Sequence, residues 1–162
     1  MPLCDTFAAV PARAPEARMR TALRTAVTGV VTVAALMTCG SAGATPPGPG
    51  LTSRLIAQTT IDGTDYILRE ATIPPGQATG WHYHDGPVYG VVRRGTLSHF
   101  DATCRSDGVY GPGGTFREQA GPGYVHIGRN LGDTPVVLEL LYVLPHGSPL
   151  FEDAPNPGCP FQ

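Results

Sequence analysis

The sequence predicts a single all-β domain, built as a barrel or sandwich of short strands. The chain has 162 residues, which suffices for one domain of ordinary size and is too short for two catalytic domains. Its 21 glycines and 17 prolines favour turns and short strands over long helices. Strand-like runs recur between turn signals, and such runs commonly join around one core as a barrel or sandwich.

Six strand-like runs are visible along the chain. They cover residues 54–59, 65–73, 87–93, 96–100, 115–118 and 135–144. Asp62-Gly63 separates the first two runs and predicts a hairpin, because Asp-Gly readily supplies positive φ angles. Pro74-Pro75-Gly76 forces a further reversal of the chain. We therefore place the barrel at residues 51–144.

The segments on either side of the barrel are rich in proline and glycine. Residues 45–50 contain three prolines and two glycines, which predicts a flexible leader. Residues 145–162 combine glycine, proline and isolated aromatic residues. We expect this C-terminal tail to pack as extended coil, provided that a cross-link through its cysteine holds it in place.

Residues 1–44 have the order of an export signal. Four arginines precede an uncharged stretch at residues 25–38, and Ala42-Gly43-Ala44 offers a cleavage site. The stretch is shorter than the roughly 20 residues that a bilayer-spanning helix needs, so we expect a secreted or extracytoplasmic protein without a stable membrane span. A permanent membrane anchor and a lipid attached to Cys39 are the alternatives. A start at Met19 would give a more compact signal.

The four cysteines divide between the predicted signal and the domain. Cys4 and Cys39 fall in the signal, whereas Cys104 and Cys159 remain after processing. Two thiols left in an oxidising compartment usually join, which predicts a disulfide between Cys104 and Cys159. Two independent buried thiols are the alternative. Neither cysteine has a close partner at zinc-ligand spacing, so we expect no metal site on them.

The charged residues exclude two classes of function. All 11 basic residues are arginine, which excludes Schiff-base and P-loop lysine chemistry. The net charge is only −2 and the arginines are scattered, so we expect no nucleic-acid partner.

Three histidines could hold a metal ion. His82 and His84 are separated by one residue on a strand-like stretch, so both side chains point to one face while Tyr83 points away. His126 follows a Gly-Pro-Gly corner and could reach the same point from a neighbouring strand. Three neutral imidazoles suit one divalent transition metal ion (Fe, Mn, Ni, Cu or Zn) and leave positions open for water or substrate. A His-x-His pair alone is not specific for metal binding.

The residues around these histidines resemble the two motifs of the cupin superfamily. The matching positions are Gly76, His82, His84 and Gly95 in the first motif, and Gly123, His126 and Asn130 in the second. Gly121 replaces the usual proline of the second motif. The resemblance implies a double-stranded β-helix with a metal on the three histidines near the barrel mouth, and a homodimer formed through the barrel sheets. The superfamily contains oxygenases, isomerases, epimerases and sugar-binding modules, so the fold names no single chemistry.

The chain departs from the cupin pattern at one metal ligand. Where the first motif usually has a glutamate, four residues after the second histidine, this chain has Val88. Imidazoles do not neutralise the metal, so an anionic ligand would be favoured at the open position. We expect Val88 to wall that position with apolar surface, and a Val88→Glu variant to add a ligand. Asp85 and Glu118 are the nearby carboxylates, and we expect both to face away from the histidines.

Several other polar and aromatic residues near the motifs are expected to serve packing or to lie on the surface. They are Trp81, Tyr89, His99, Tyr124, Arg129, Glu139 and His146.

The leading functional hypothesis is an exported three-histidine metalloenzyme acting on a small organic molecule. The site is similar to those of cupin thiol dioxygenases and diketone dioxygenases, and other Lewis-acid chemistry is equally compatible with it. The alternative is a non-catalytic module that binds or senses a small ligand, which the lack of an obvious acid or base favours. A scaffold with vestigial histidines is the least favoured, because both motifs keep their histidines.

Overall fold

The computed structural model describes residues 44–162, which form two five-stranded antiparallel sheets. The strands are β1 (Thr52–Ile61), β2 (Thr64–Ile73), β3 (His82–Tyr83), β4 (Val88–Arg94), β5 (Leu97–Asp101), β6 (Ser106–Tyr110), β7 (Thr115–Glu118), β8 (His126–Arg129), β9 (Val136–Pro145) and β10 (Glu152–Asp153). One sheet has the order β1-β2-β9-β4-β7 and the other the order β10-β3-β8-β5-β6. The predicted all-β fold is confirmed.

Strand β9 forms the centre of the first sheet and supplies much of the core. Its burial alternates along ten residues, with apolar side chains at every second position facing inwards. The inward residues are Val136, Leu138, Leu140, Tyr142 and Leu144. Strand β1 lies at the open edge of this sheet, and all ten of its residues are exposed.

The six predicted runs each match a strand to within two residues at either end. The predicted hairpin between β1 and β2 is also confirmed, because Asp62 and Gly63 have φ angles of 49° and 74°. The short strands β6, β8 and β10 were not predicted as runs, because each has few apolar residues in alternation.

The predicted signal at residues 1–44, with the start at Met19 and the lipid site at Cys39, lies outside the described residues apart from Ala44. The segment at residues 45–50, which we expect to be a flexible leader, begins with a residue that is packed against the domain. Thr45 is buried and its amide donates a hydrogen bond to the Ala154 carbonyl at 3.1 Å. The Thr45 hydroxyl also accepts a hydrogen bond from the Trp81 amide at 2.6 Å. These contacts fix the start of the segment to the strand that carries His82.

The C-terminal tail is fixed to the same part of the domain. Strand β10 pairs with β3, and Cys159 is bonded to Cys104, with their Cα atoms 5.5 Å apart. The predicted disulfide is therefore present in the structure. Residues 44–162 include no helix that is long and apolar enough to cross a membrane.

Candidate metal centre

Strand pairing brings the three predicted metal ligands together. His82 on β3 and His126 on β8 are direct cross-strand partners, so their side chains project from the same face of the sheet. His84 follows His82 by two residues and shares that face. All three residues are buried, and one ligand nitrogen from each lies within 4.8 Å of those of the other two. The convergence expected from the sequence is observed.

The hydrogen bonds of the three rings leave the same nitrogen of each ring available. The Nδ1 atoms of His82, His84 and His126 lie 2.9, 2.6 and 2.9 Å from backbone carbonyl oxygens. A carbonyl oxygen only accepts, so each Nδ1 carries the proton and each neutral ring has its lone pair on Nε2. Orienting partners of this kind are typical of metal-binding histidines. Burial, together with the neighbouring His126 and His84, also holds the pKa of His82 well below its usual value.

The partners of the three rings come from distant parts of the chain. The carbonyl that accepts from His84 belongs to Leu150 in the C-terminal tail. The carbonyl that accepts from His82 belongs to Gly80, whose φ angle is 80° and whose Cα lies against the Thr45 carbonyl. A side chain at position 80 would collide with Thr45, so the close approach requires glycine.

Glu118 faces the histidines, contrary to our expectation that it would point away. It is 8% exposed, and its carboxylate oxygens lie 3.0 Å from His84 Nε2 and 3.5 Å from His126 Nε2. The reason is strand alternation, because Glu118 follows the inward-facing Phe116 by two residues on β7. Burial alone would raise the pKa of Glu118, but the neighbouring His126, His84 and His99 outweigh burial and hold this pKa well below its ordinary range.

His99 also belongs to this cluster, although no cupin-like motif surrounds it. It is 3% exposed and shares the inward face of β5 with Leu97. The two-residue spacing from the apolar Leu97 was the sequence pattern that could have placed His99 in the interior. Its Nδ1 lies 2.6 Å from Asp107 and its Nε2 lies 3.4 Å from Glu118. Burial lowers the pKa of His99, but the hydrogen bond to Asp107 and the nearby Glu118 carboxylate outweigh burial and raise it to about 9. His99 therefore lies between two carboxylates that favour its protonated form.

The contacts around Glu118 fit a bound cation better than hydrogen bonds. The Nε2 atoms of His84, His99 and His126 are buried and make no hydrogen bond within residues 44–162. They nevertheless lie close to the Glu118 carboxylate, so the two lone pairs of His84 and His126 face negatively charged oxygens. Such an arrangement repels unless a cation lies between the groups, which is either a metal ion or a proton on one of the rings. The donor set of imidazole and carboxylate groups suits a divalent transition metal ion.

A cavity of about 100 Å³ lies between the two sheets beside this cluster. Its apolar wall includes Leu51, Ile73, Leu138, Leu140 and Phe151. Its polar groups include His82, His84, His99 and Glu118. An apolar cavity that holds a benzene ring measures about 150 Å³, so this space accepts only a molecule, or part of one, that is smaller than benzene and mainly apolar.

Val88 does not wall this cavity, which corrects our expectation. It is fully buried in the core cluster of β2, β4 and β9, and the cavity lining comes from other residues. The reason is its register, since Val88 lies directly between Glu118 on β7 and Tyr142 on β9. Glu118 and Tyr142 reach the cavity, whereas the shorter valine does not.

The other residues considered near the motifs lie outside the cluster or at its margin. Asp85 and Tyr89 are exposed, and Glu139 pairs with Arg93 at 2.8 Å. Tyr124 donates a hydrogen bond to Asp107 at 3.3 Å. Three further residues have packing or surface roles. Trp81 is fully buried against Phe161, Arg129 lies over the Phe161 ring, and His146 is bonded to Asp65 away from the site.

Comparison with known proteins supports the fold and leaves the function open. No family model and no curated protein matches the chain. A cupin-like protein from Thermotoga maritima matches with a TM-score of 0.54 at 18% identity, covering 65% of this chain and 77% of that one. The polyketide cyclase RemF from Streptomyces resistomycificus matches with a TM-score of 0.54 at 20% identity, covering 69% and 78%.

A third structure is a conserved Klebsiella pneumoniae protein with a double-stranded β-helix domain. It matches with a TM-score of 0.52 at 18% identity, covering 67% of this chain and 84% of that one. Similarity at such low identity establishes the architecture of the chain and no activity. Together with the two facing antiparallel sheets, it shows that this chain has the cupin fold, the double-stranded β-helix.

Proposed function

We propose that this protein is a metal-dependent enzyme that acts on a small organic molecule at the three-histidine centre. The observation that carries the proposal is the alignment of His82, His84 and His126, whose Nδ1 atoms all donate to backbone carbonyls and whose Nε2 lone pairs converge. A preorganised set of this kind needs little rearrangement to bind one divalent transition metal ion.

The bound ion would act as a Lewis acid, or as a dioxygen site if it is iron. The protein contributes the shape and polarity of the space beside it. The walls from β2, β9 and the tail are apolar and exclude water, which favours a substrate with an apolar body. The polar lining includes the three-histidine centre's His82 and His84 together with His99 and Glu118, so a donor group on the substrate would be directed to them. A sugar, which needs many polar partners, fits this lining poorly.

The experiment is metal loading followed by an activity screen. Chelator-stripped protein is reloaded with Fe²⁺, Mn²⁺, Ni²⁺, Cu²⁺ or Zn²⁺ and incubated with small apolar thiols, diketones and carboxylic acids. Oxygen uptake and product formation are then measured. We expect metal-dependent turnover of at least one such compound. If the loaded protein binds these compounds without turnover, the non-catalytic binding module is the correct function, and if it binds no metal, the proposal fails.

We also propose that the mature protein is exported. The disulfide between Cys104 and Cys159 is compatible with an oxidising compartment, and the arginine-flanked apolar segment supports a signal. N-terminal sequencing of protein from the extracytoplasmic fraction tests this proposal. We expect a start at or near Thr45, and a lipid-modified Cys39 or an intact cytoplasmic chain would contradict it.

The exposed edge strand β1 supports a homodimer. Its ten residues are exposed and include the large apolar side chains Leu55, Ile56 and Ile61. A long exposed edge strand readily pairs with another chain unless it is protected. Light scattering at several concentrations should give twice the mass of one chain, and a monomer at all concentrations would refute the dimer.

A further inference from the structure

We propose that Glu118 is a fourth metal-binding side chain, supplied by β7 to the position that Val88 leaves apolar on β4. This inference rests on the three-histidine centre proposed above and adds to it a ligand from a strand that carries neither histidine motif. It changes the charge of the site, since one carboxylate reduces the net charge around a divalent ion from about +2 to about +1.

The register of β4 and β7 explains how the carboxylate reaches the histidines. Val88 and Glu118 are direct partners in the antiparallel pair. Side chains of direct partners start about 4.5–5.5 Å apart and point to the same face. Both residues are buried, as are Gly90 and Phe116, the next inward pair along the two strands. A carboxylate at position 118 therefore enters the same part of the interior as a side chain at position 88.

The distances at Glu118 match those between ligands of one ion. Donor atoms about 2.1 Å from a shared ion lie about 3.0 Å apart at a right angle and about 3.4 Å apart at a tetrahedral angle. Glu118 Oε2 lies 3.0 Å from His84 Nε2, and the other oxygen, Oε1, lies 3.5 Å from His126 Nε2, so the match to one ion requires both oxygens to bind it. Both nitrogens are buried and lack a hydrogen-bond partner among residues 44–162, so this separation is not explained by hydrogen bonding.

A second contact holds the carboxylate in place. His99 lies 3.4 Å from Glu118 and is itself bonded to Asp107 at 2.6 Å. Such an outer partner restricts the rotation of a metal-binding carboxylate. The competing explanation is that Glu118 serves only to pair with His99, in which case metal affinity would not depend on it.

The experiment measures the Zn²⁺ dissociation constant by competition with a chromophoric chelator, and the visible spectrum of the Co²⁺-loaded protein. The variants are Glu118→Gln, the exchange Val88→Glu/Glu118→Val, and Glu139→Gln as a matched control on β9. His84→Ala reports on the three-histidine centre itself. Circular dichroism establishes that each variant is folded.

We expect Glu118→Gln to weaken Zn²⁺ binding by about 100-fold and to change the Co²⁺ spectrum. The exchange should restore the affinity to within about tenfold of wild type, because it returns a carboxylate to the same face. Glu139→Gln should have no effect on the Zn²⁺ dissociation constant.

The inference is overturned if the Zn²⁺ dissociation constant of Glu118→Gln is within threefold of the wild-type value while His84→Ala does not bind Zn²⁺. If Glu118→Gln does not fold, the Val88→Glu/Glu118→Val exchange variant is the test. Weak Zn²⁺ binding by the folded exchange variant then overturns the inference. Retention of Zn²⁺ by His84→Ala would instead refute the three-histidine centre.

Discussion

The backbone carbonyl of Leu150 accepts a hydrogen bond from His84 Nδ1 at 2.6 Å, and this contact joins the C-terminal tail to the candidate metal centre. The neighbouring Phe151 ring lies 5.7 Å from the ring of His82. Beyond it, β10 pairs with β3, and Cys159 is bonded to Cys104. The tail therefore orients one candidate ligand, lies against a second and is fixed at its far end by a covalent bond.

The first prediction concerns that covalent bond. The two cysteines are separated by 55 residues, and removal of a cross-link of this length lowers the free energy of unfolding by about 4 kcal/mol in the chain-entropy model. Replacing both cysteines with serine should therefore lower stability and also weaken metal binding by about tenfold, because the Leu150 carbonyl loses its fixed position. Denaturant unfolding and metal competition measure the two effects. Unchanged metal affinity in a folded double variant would show that the tail does not need the disulfide to orient His84.

The second prediction concerns Thr45. Its hydroxyl accepts from the Trp81 amide and lies 3.2 Å from the Ala154 carbonyl, with all three residues buried. Thr45→Val keeps the shape of the side chain but leaves the buried Trp81 amide unsatisfied, which costs about 1–3 kcal/mol of unfolding free energy. Thr45→Ser keeps the hydroxyl and is the matched control. In urea unfolding, Thr45→Val should have a lower free energy of unfolding than Thr45→Ser. Equal values would mean that the hydroxyl does not contribute to stability.

The third prediction concerns acid stability. Hydrogen bonds from Thr60, from His146 and from the Gly147 amide lower the pKa of Asp65 from 3.8 to about 2. A lowered pKa in the folded state stabilises the protein above pH 3.8, and this contribution is lost as the pH falls towards 2. Asp65→Asn should therefore be less stable than wild type at pH 7, and the difference should disappear near pH 2. Thermal unfolding between pH 2 and pH 7 measures the stability difference between wild type and Asp65→Asn, with Asp85→Asn at an exposed position as the control. A stability difference that does not change with pH would refute the mechanism.

Most of the fold and three site residues were predictable because they depend on local patterns. Alternation predicted the strands, and the spacing of His82 and His84 placed both on one face. Glu118 and Val88 were assigned wrongly because their positions depend on the register between β4 and β7, which the sequence of either strand does not specify. The alternation of Glu118 with Phe116 was a usable signal, but a four-residue strand gives it little weight.

The most direct test of the metal centre is the metal content of His84→Ala. Stripped protein is incubated with excess Zn²⁺, passed through a desalting column and analysed for zinc per chain. The wild-type protein should retain one ion per chain. The control His146→Ala should do the same, because the His146 side chain is 67% exposed and contacts Asp65 rather than the cluster. His84→Ala should retain none while keeping the circular dichroism of the wild type. One zinc ion per folded His84→Ala chain would contradict the account.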